Sequence, residues 1–296
     1  MRIIFSTKAK ASNVIIDFHT HFFPDNLASR AMASLLEECN GFYAPVSDGT
    51  AAGQLVAMDR FGVDVAVLQP VITKQSQTKG VNEWAASLVS GRFVPFGGIF
   101  PHTDDYRRDI DFVAGLGLKG LKLHAEYQDF LPDDPQMLRI YDYAFGKGLI
   151  ILQHAGFDPA FGPVWRGSPE RFARAAREMK GGVMVVAHLG GQDVWDDVER
   201  YLVGSDVYMD TSMGFEYYSE EQFLRIVKNH GADRILFGSD APWSDAGYEI
   251  ARLRGLNRLT DEEKEGILGG NAGKILGTAS EHKIEIGVRA WQMNLE

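Results

Sequence analysis

Near its amino end the chain carries the stretch Val14-Ile15-Ile16-Asp17-Phe18-His19-Thr20-His21, a largely apolar run that ends in two histidines. A run rich in β-branched residues predicts a strand that is covered on both faces. Residues i and i+2 of a strand point to the same side, so His19 and His21 are expected to converge just past its end. Two imidazoles placed in this way supply half of a metal site if other strands bring the remaining ligands.

The composition is that of a globular protein, with 45% hydrophobic and 24% charged residues among 296. A formal net charge of -10 argues against nucleic acid and anionic membranes as partners. No apolar run approaches the roughly 20 residues that span a bilayer, and residues 1–6 have too short an apolar core for a signal peptide. The single cysteine, Cys39, excludes an internal disulfide and is interpreted as a small apolar residue near a helix end. We therefore expect a cytoplasmic protein.

Eight segments have the pattern of buried strands, and each is followed by a helix and a turn marked by glycine or proline. They begin near residues 14, 63, 93, 119, 149, 183, 207 and 234. Eight strand–helix units in succession predict an α/β fold, a closed parallel (β/α)8 or TIM barrel, for which about 250 residues is typical. A doubly wound dinucleotide fold is disfavoured because no G-x-G-x-x-G loop follows the first strand.

The barrel is expected to form a single domain over residues 1–296, with its core at about 14–277 and short extensions at both ends. Helices are predicted at 26–38, 50–61, 81–90, 104–116, 135–146, 168–179, 192–202 and 219–230, with 40–49 as a loop over the barrel mouth. Residues 2–5 are a candidate accessory strand that could pair with 283–288. The tail 278–296 is interpreted as an arm on a neighbour, so a homodimer is the default expectation.

Potential ligands cluster where the predicted strands end. The active site of a TIM barrel lies at the C-terminal ends of its strands. Six of the eight histidines fall there or in the following loop, and an aspartate ends the eighth strand: His19, His21, His102, His124, His154, His188 and Asp240. Because the core layers of a barrel favour branched apolar residues, this clustering indicates a site rather than packing. The other two histidines, His230 and His282, are expected to face solvent.

These motifs resemble the amidohydrolase superfamily, in the amidohydrolase-related branch that includes aminocarboxymuconate-semialdehyde decarboxylase. The resemblance extends from about residue 14 to 277, nearly the whole chain. It rests on Asp17-Phe18-His19-Thr20-His21, Gly120-Leu121-Lys122-Leu123-His124, His154-Ala155-Gly156, Ala187-His188-Leu189-Gly190-Gly191, Phe237-Gly238-Ser239-Asp240-Ala241-Pro242 and Asn271-Ala272.

The resemblance implies that His19, His21, His154 and Asp240 hold one divalent metal ion, with zinc favoured and manganese as the alternative. Three imidazoles and one carboxylate suit zinc, which in catalytic sites keeps a position for water. Asp240 would also take a proton from that water and relay it to the leaving group, and His188 would orient the water or polarise a substrate carbonyl. The opposing interpretation for each is a buried side chain satisfied by ordinary hydrogen bonds.

Further residues are candidates for substrate binding. Lys122 is interpreted as a charged hydrogen-bond donor, with a carboxylated lysine that bridges two metals as the alternative that the superfamily offers. His124 and His102 are candidate substrate contacts or structural histidines. Arg166 could clamp a substrate carboxylate with both guanidinium arms, or it could be an ordinary ion-paired arginine. Trp243 is a candidate wall of the pocket, and ordinary packing is its alternative; the same holds for Phe22 and Phe23.

Three functions follow from this pattern. The first is a metal-dependent hydrolase that acts on a small lactone, amide or ester through a metal-activated water. The alternative is a metal-dependent decarboxylase of a small unsaturated or aromatic carboxylic acid. A barrel that binds a ligand without turnover is disfavoured, because a lost activity would usually show as a lost ligand and all five central residues are present. In each case the expected partner is a small molecule.

Overall fold

The computed structural model describes residues 14–162, 165–179 and 181–277. Within these residues the strands are short and all paired strands run parallel. They are β1 (Ile16–Thr20), β2 (Val65–Leu68), β3 (Gly120–Leu123), β4 (Ile150–Gln153), β5 (Met184–Val186), β6 (Tyr208–Asp210) and β7 (Ile235–Leu236). β1 pairs with β2, and β3 to β7 form a second sheet in chain order.

The third predicted strand, residues 93–100, does not form a regular strand. The segment nevertheless occupies the place between β2 and β3, because Val94 donates to a carbonyl of β2 and Lys122 of β3 donates to the carbonyl of Gly97. Pro95 lies within the segment and has no N–H to give to a ladder. The prediction of position is correct, and the prediction of a continuous strand is wrong.

The first and last strands meet and complete the ring of backbone contacts. Phe18 N donates to Phe237 O at 2.8 Å, and Asp240 N donates to His19 O at 2.8 Å. Thr20 and Ala241 also form an isolated parallel bridge. The described part of the chain therefore has the arrangement of a TIM barrel, although regular ladder pairing is interrupted on both sides of the β1–β2 pair.

Helices follow the strands and cover the outside of the sheet. The α-helices are α1 (Asp25–Glu38), α2 (Ala51–Phe61), α3 (Thr78–Ser87), α4 (Tyr106–Gly115), α5 (Ala125–Gln128), α6 (Pro135–Gly146), α7 (Pro169–Glu178), α8 (Trp195–Asp197), α9 (Glu220–His230), α10 (Ala246–Gly255), α11 (Asp261–Glu265) and α12 (Asn271–Leu276). Single 3-10 turns lie at Gln75–Gln77 and Ala232–Arg234, and π turns at Val198–Leu202 and Gly266–Gly270. No helix among the described residues is long and apolar enough to cross a membrane.

Side-chain caps account for several helix starts that the sequence predicts. Thr50 accepts from Gly53 N at the start of α2, and Ser219 accepts from Gln222 N at the start of α9. The helix predicted at 192–202 is shorter, since regular α-structure begins only at Trp195 and gives way to a π turn. The four-residue α5 was not predicted, because it is too short to show a helical period.

The buried apolar residues form two clusters on the two sides of the sheet. The larger joins strand residues to the helices. The smaller contains strand residues that fill the barrel interior, with Ala272 and Leu276 of α12 packed against one end. The predicted pairing of residues 2–5 with 283–288 and the proposed role of the tail lie outside the described residues.

A buried carboxyl group outside the barrel predicts that stability depends on pH. Glu249 of α10 is fully buried, and one of its oxygens has no hydrogen-bond partner among the described residues. Burial raises the pKa of Glu249 from 4.5 to about 8. The unfolded chain ionises this group near its ordinary pKa, whereas the folded chain keeps it protonated. The stability that it contributes is therefore fully present below about pH 4.5 and is lost as the pH rises through about 8.

We expect Glu249→Gln to raise the thermal unfolding midpoint at about pH 9 and to leave it nearly unchanged at about pH 5. A shift of this size corresponds to an effect of a few kcal/mol, on the order of 1.4 kcal/mol per pKa unit. The measurement is the unfolding midpoint across this pH range for wild type, Glu249→Gln and Glu216→Gln, an exposed glutamate nearby. If wild type and Glu249→Gln show parallel pH profiles, the carboxyl group is ionised in the folded state and the assignment is wrong.

Candidate active site

A cavity of about 720 Å³ opens at the C-terminal ends of the strands. Its wall includes ten residues that the sequence analysis selected: His19, His21, Phe22, Phe23, Lys122, His124, His154, His188, Asp240 and Trp243. Aromatic side chains from several loops and helices form much of the wall: Phe22, Phe23, Tyr43, Trp84, Tyr127 and Phe157. The cavity therefore combines a polar floor with aromatic sides.

Three potential metal ligands lie together at the first and last strands. His19 Nε2 lies 3.1 Å from His21 Nε2, and His21 Nε2 lies 3.1 Å from Asp240 Oδ1. The distance from His19 Nε2 to Asp240 Oδ1 is 3.5 Å. Asp240 adopts a left-handed backbone conformation, with a φ of 67°, which aspartate tolerates better than most residues. The backbone hydrogen bond between Asp240 and His19 holds the two strand ends together.

The hydrogen-bond partners of these rings assign their tautomers. His19 Nδ1 lies 3.0 Å from Asp210 Oδ2, and His21 Nδ1 lies 2.8 Å from the carbonyl of Gln69. A carboxylate or a carbonyl can only accept, so both protons are on Nδ1 and both Nε2 atoms carry bare lone pairs. Asp240 Oδ1 accepts no hydrogen bond from the described residues. Three electron pairs therefore converge within 3.5 Å, which fits a cation bound between them.

Electrostatics keep this group in the protonation state that metal binding needs. Burial and the positive charge of Lys122 lower the pKa of His19 to about 4, so its ring is neutral at physiological pH. Burial opposes ionisation of Asp240, but the neighbouring His19 and His21 outweigh it and hold the pKa of Asp240 well below its usual range. Neutral imidazoles and an ionised carboxylate are the forms that coordinate metals.

A chain of hydrogen bonds leaves one nitrogen of His154 free. His188 Nδ1 lies 3.2 Å from the carbonyl of Ser212, so it is the protonated nitrogen, and His188 Nε2 accepts from His154 Nδ1 at 2.9 Å. His154 Nε2 then carries a lone pair, is buried and has no hydrogen-bond partner in the part of the chain that the structure describes. A buried acceptor without a partner is costly, so His154 Nε2 is a candidate ligand atom.

The structure places His154 with His124 and Asp158, rather than within the group of His19, His21 and Asp240. His124 Nε2 lies 3.2 Å from Asp158 Oδ2, and His124 Nδ1 accepts weakly from Tyr127 N at 3.5 Å. The rings of His124 and His154 are stacked, with centroids 4.1 Å apart and planes 7° from parallel. A metal must lie near the plane of each imidazole that binds it, so two stacked rings cannot share one ion in this orientation. This second group therefore contributes one free donor atom, from His154.

Lys122 is fully buried at the floor of the cavity. Its Nζ lies 2.8 Å from His19 Nε2, where an ammonium group can donate to the bare lone pair. Burial lowers the pKa of Lys122 to about 8, while the carboxylates of Asp240, Asp210 and Asp158 oppose that effect. Lys122 is thus a charged donor among carboxylates. The role as bridge between two metals would need a second set of free ligand atoms, and His124 does not offer them.

Two buried residues, Ser212 and Asp210, form hydrogen bonds with the histidines on the side away from the cavity and were not identified from the sequence. Ser212 Oγ lies 2.9 Å from His188 Nδ1 and 3.1 Å from His19 Nδ1, and it donates to Asp210. Burial alone would raise the pKa of Asp210, but the charge and hydrogen bond of His19 hold it well below its usual range. Such outer partners fix the ring orientation and tautomer of metal-binding histidines. Asp210 ends the predicted seventh strand, so its position was the available signal.

Comparison with known proteins agrees with this geometry. The family model described as Amidohydrolase matches residues 16–278. The chain belongs to the amidohydrolase family. No match was found among curated protein sequences.

Solved structures similar to this amidohydrolase share its fold at low sequence identity. The 5-carboxyvanillate decarboxylase of Sphingomonas paucimobilis is 17% identical, has a TM-score of 0.65, and the match covers 90% of this chain and 99% of that one. The 5-carboxyvanillate decarboxylase of Novosphingobium aromaticivorans, with bound manganese, is 14% identical with a TM-score of 0.67 over 90% and 97%. An uncharacterised TIM-barrel protein of Bordetella bronchiseptica is 19% identical with a TM-score of 0.69 over 89% and 98%. The TIM-barrel fold is confirmed.

Two predicted substrate contacts of this amidohydrolase lie away from the cavity wall. The guanidinium of Arg166 pairs with Glu126 at 3.3 Å and with Asp129 at 2.6 Å, so its charge is already matched by protein carboxylates. His102 Nε2 lies 2.9 Å from the carbonyl of Gln128, which fixes the end of α5. Both side chains hold loops in place, and the geometry gives no support to a substrate contact by either.

His230 also differs from expectation, because it is buried rather than exposed. Its Nδ1 accepts from Gly204 N at 3.1 Å and its Nε2 donates to Val207 O at 2.9 Å. It therefore links α9 to the segment before β6, on the far side from the amidohydrolase cavity. Helical position alone could not reveal these two long-range partners.

Proposed function

We propose that this enzyme is a metal-dependent decarboxylase of a small aromatic or unsaturated carboxylic acid. The observation that carries the proposal is the cavity itself, in which aromatic side chains flank a group of metal-ligand residues. Flat aromatic walls suit a planar conjugated substrate, and conjugation is what stabilises the electron pair left behind when carbon dioxide departs. That two similar structures are 5-carboxyvanillate decarboxylases supports the same reaction class.

We propose that His19, His21, His154 and Asp240 hold one divalent metal ion, zinc or manganese. The matching donor atoms are the Nε2 atoms of the three histidines and Asp240 Oδ1. His154 Nε2 and Asp240 Oδ1 have no hydrogen-bond partner among the described residues, whereas the hydrogen bond from Lys122 Nζ to His19 Nε2 would have to break before His19 could bind the ion. A bound cation would polarise a substrate carboxylate or carbonyl and lower the pKa of a water to about 7. The bound manganese in the similar Novosphingobium structure supports manganese as one of the two candidates.

The residues of the chain then have separate tasks. In the decarboxylation a proton is added to the ring or chain carbon that carries the carboxylate, the C–C bond breaks, and carbon dioxide leaves with no net oxidation. The proton comes from solvent: Asp240, which lines the cavity and is ionised in the resting site, would take it up and pass it to that carbon. His188, held by Ser212, would orient the substrate through its ring. Lys122 would balance the charge of an acidic substrate beside His19.

Hydrolysis of a small lactone, ester or amide is the second candidate. It uses the same residues, with Asp240 as the base that takes a proton from water. The observation that favours it is the absence of any donor to Asp240 Oδ1 within the described residues, since an unpartnered carboxylate is free to accept a proton.

The test is carbon dioxide release from a panel of aromatic and conjugated acids, run beside a panel of lactones, esters and amides, with the protein loaded with zinc or manganese. We expect carbon dioxide in amounts equal to the acid consumed. His102→Asn, which alters a histidine outside the cavity, should keep the rate and serve as a matched control. Turnover of lactones or esters without carbon dioxide from any acid would establish the hydrolase instead.

A further inference from the structure

A charged rim at the mouth of the cavity is not used by the proposed reaction. Arg30 of α1 and Lys74, which precedes the 3-10 turn, both line the cavity and both are exposed. No carboxylate of the described residues lies within ion-pair distance of either side chain, whereas many arginines elsewhere are paired. Among the lining residues only Asp158 and Asp240 are acidic, and they belong to the floor.

Helix α1 presents this rim through one face. Leu27, Arg30, Ala31, Ser34 and Leu35 all line the cavity, which is the i, i+3, i+4, i+7, i+8 spacing of a single helical face. Such a face normally packs against a protein core. Here only Ala28 and Met32 of the fourteen residues of α1 are buried. The cavity-facing side of α1 therefore carries one cation, Arg30, among three apolar residues and Ser34, and no carboxylate of the described residues pairs with it.

The positive charge of this rim is opposite in sign to the net charge of the chain. The chain has a formal net charge of -10, which repels anions at a distance. Two cations that form no ion pair with a described residue give a local positive potential at the cavity mouth, and they attract an anion that enters there. An arginine without a protein partner is suited to hold a carboxylate with two parallel hydrogen bonds.

We propose that Arg30 and Lys74 form an anion subsite, so that the substrate carries a second carboxylate remote from the one at the metal-ligand group. The inference rests on the proposed function, and it narrows the substrate class from a small conjugated acid to a conjugated dicarboxylic acid. Lys74 contributes a second charge, and the aromatic wall between rim and floor accommodates the planar body of the substrate.

The test compares the binding of diacids and monoacids to the zinc-loaded full chain by calorimetry. The probes are benzene-1,3-dicarboxylate and benzene-1,4-dicarboxylate against benzoate, and naphthalene-2,6-dicarboxylate against naphthalene-2-carboxylate, so that several carboxylate separations are sampled. We expect at least one diacid to bind roughly tenfold more tightly than its monoacid. Arg30→Met and Lys74→Met should each remove most of that preference and leave the monoacid affinity unchanged. The preference should also weaken as salt is added.

Arg139→Met is the matched control, because Arg139 is exposed on α6, lies outside the cavity and has no ion pair with a described residue. The subsite would be overturned if the wild type bound no diacid more tightly than its monoacid. It would also be overturned if Arg30→Met lost the same affinity for a diacid as for its monoacid. Carbon dioxide release is scored separately. If diacids bind more tightly but no acid releases carbon dioxide, the anion subsite stands and decarboxylation is rejected. If an acid releases carbon dioxide but diacids bind no more tightly than monoacids, decarboxylation stands and the anion subsite is rejected.

Discussion

Replacing His188 by asparagine is expected to lower kcat by roughly a hundredfold while the metal remains bound. Both nitrogens of His188 are engaged, Nδ1 with Ser212 and Nε2 with His154, so neither is a free ligand atom. The ring nevertheless lines the cavity, where it can orient a substrate. Its loss should also weaken the hold on His154, so metal affinity should fall by no more than about 10–100-fold.

The measurement is kcat together with metal per chain, determined by elemental analysis after dialysis against a zinc buffer. His230→Asn is the control for loss of a buried histidine, because His230 has two hydrogen bonds but lies outside the cavity. That variant should lose stability and keep kcat. Full activity in His188→Asn would reject the proposed role, and loss of the metal at saturating zinc would make His188 a ligand.

The second large effect concerns the stacked pair His154 and His124. We expect His154→Asn to weaken metal binding by more than about a hundredfold, which exceeds the usual effect of an outer partner, and to abolish activity with it. His124→Asn should retain the metal, because its nitrogens are bonded to Asp158 and approached by Tyr127 N. The two rings lie 4.1 Å apart and are almost parallel, so the variants make changes of equal size at adjacent positions.

Competition with a chromophoric chelator measures the affinities, and elemental analysis gives about one equivalent per chain if a single site exists. If His154→Asn keeps the metal and His124→Asn loses it, the metal is bound by His124 and Asp158 instead. Two equivalents in wild type would revive a bridging role for Lys122.

Much of the site was predictable because barrel geometry turns sequence position into spatial position. His19, His21, His154, His188 and Asp240 were selected as residues at strand ends, and all five line the cavity. The alternation of side chains along each strand and the order of the strands are enough to predict this clustering, since parallel strands bring their C-terminal ends to one face of the barrel. The assignment of His154 to the metal remains a prediction.

Contacts made by side chains across the barrel were not predictable in the same way. The pairing of Arg166 with Glu126 joins positions forty residues apart, and Ser212 reaches His19 from the opposite part of the chain. Arg30 and Lys74 were not selected, because an exposed cation on a helix or loop looks the same in sequence whether or not it borders a cavity. The strand at 93–100 is interrupted where it contains Pro95, which cannot donate to a ladder, and the sequence analysis did not take this residue into account.

The junction of the first and last strands has a consequence for how the protein is made. His19 and Asp240 are joined by a backbone hydrogen bond although more than two hundred residues separate them. During synthesis from the amino end, His19 and His21 leave the ribosome early, whereas Asp240 is added only after most of the chain has been made. Metal capture by the proposed site would therefore be a late event in folding. It reports that the ring has closed, and a chain that stops before residue 240 cannot assemble the site.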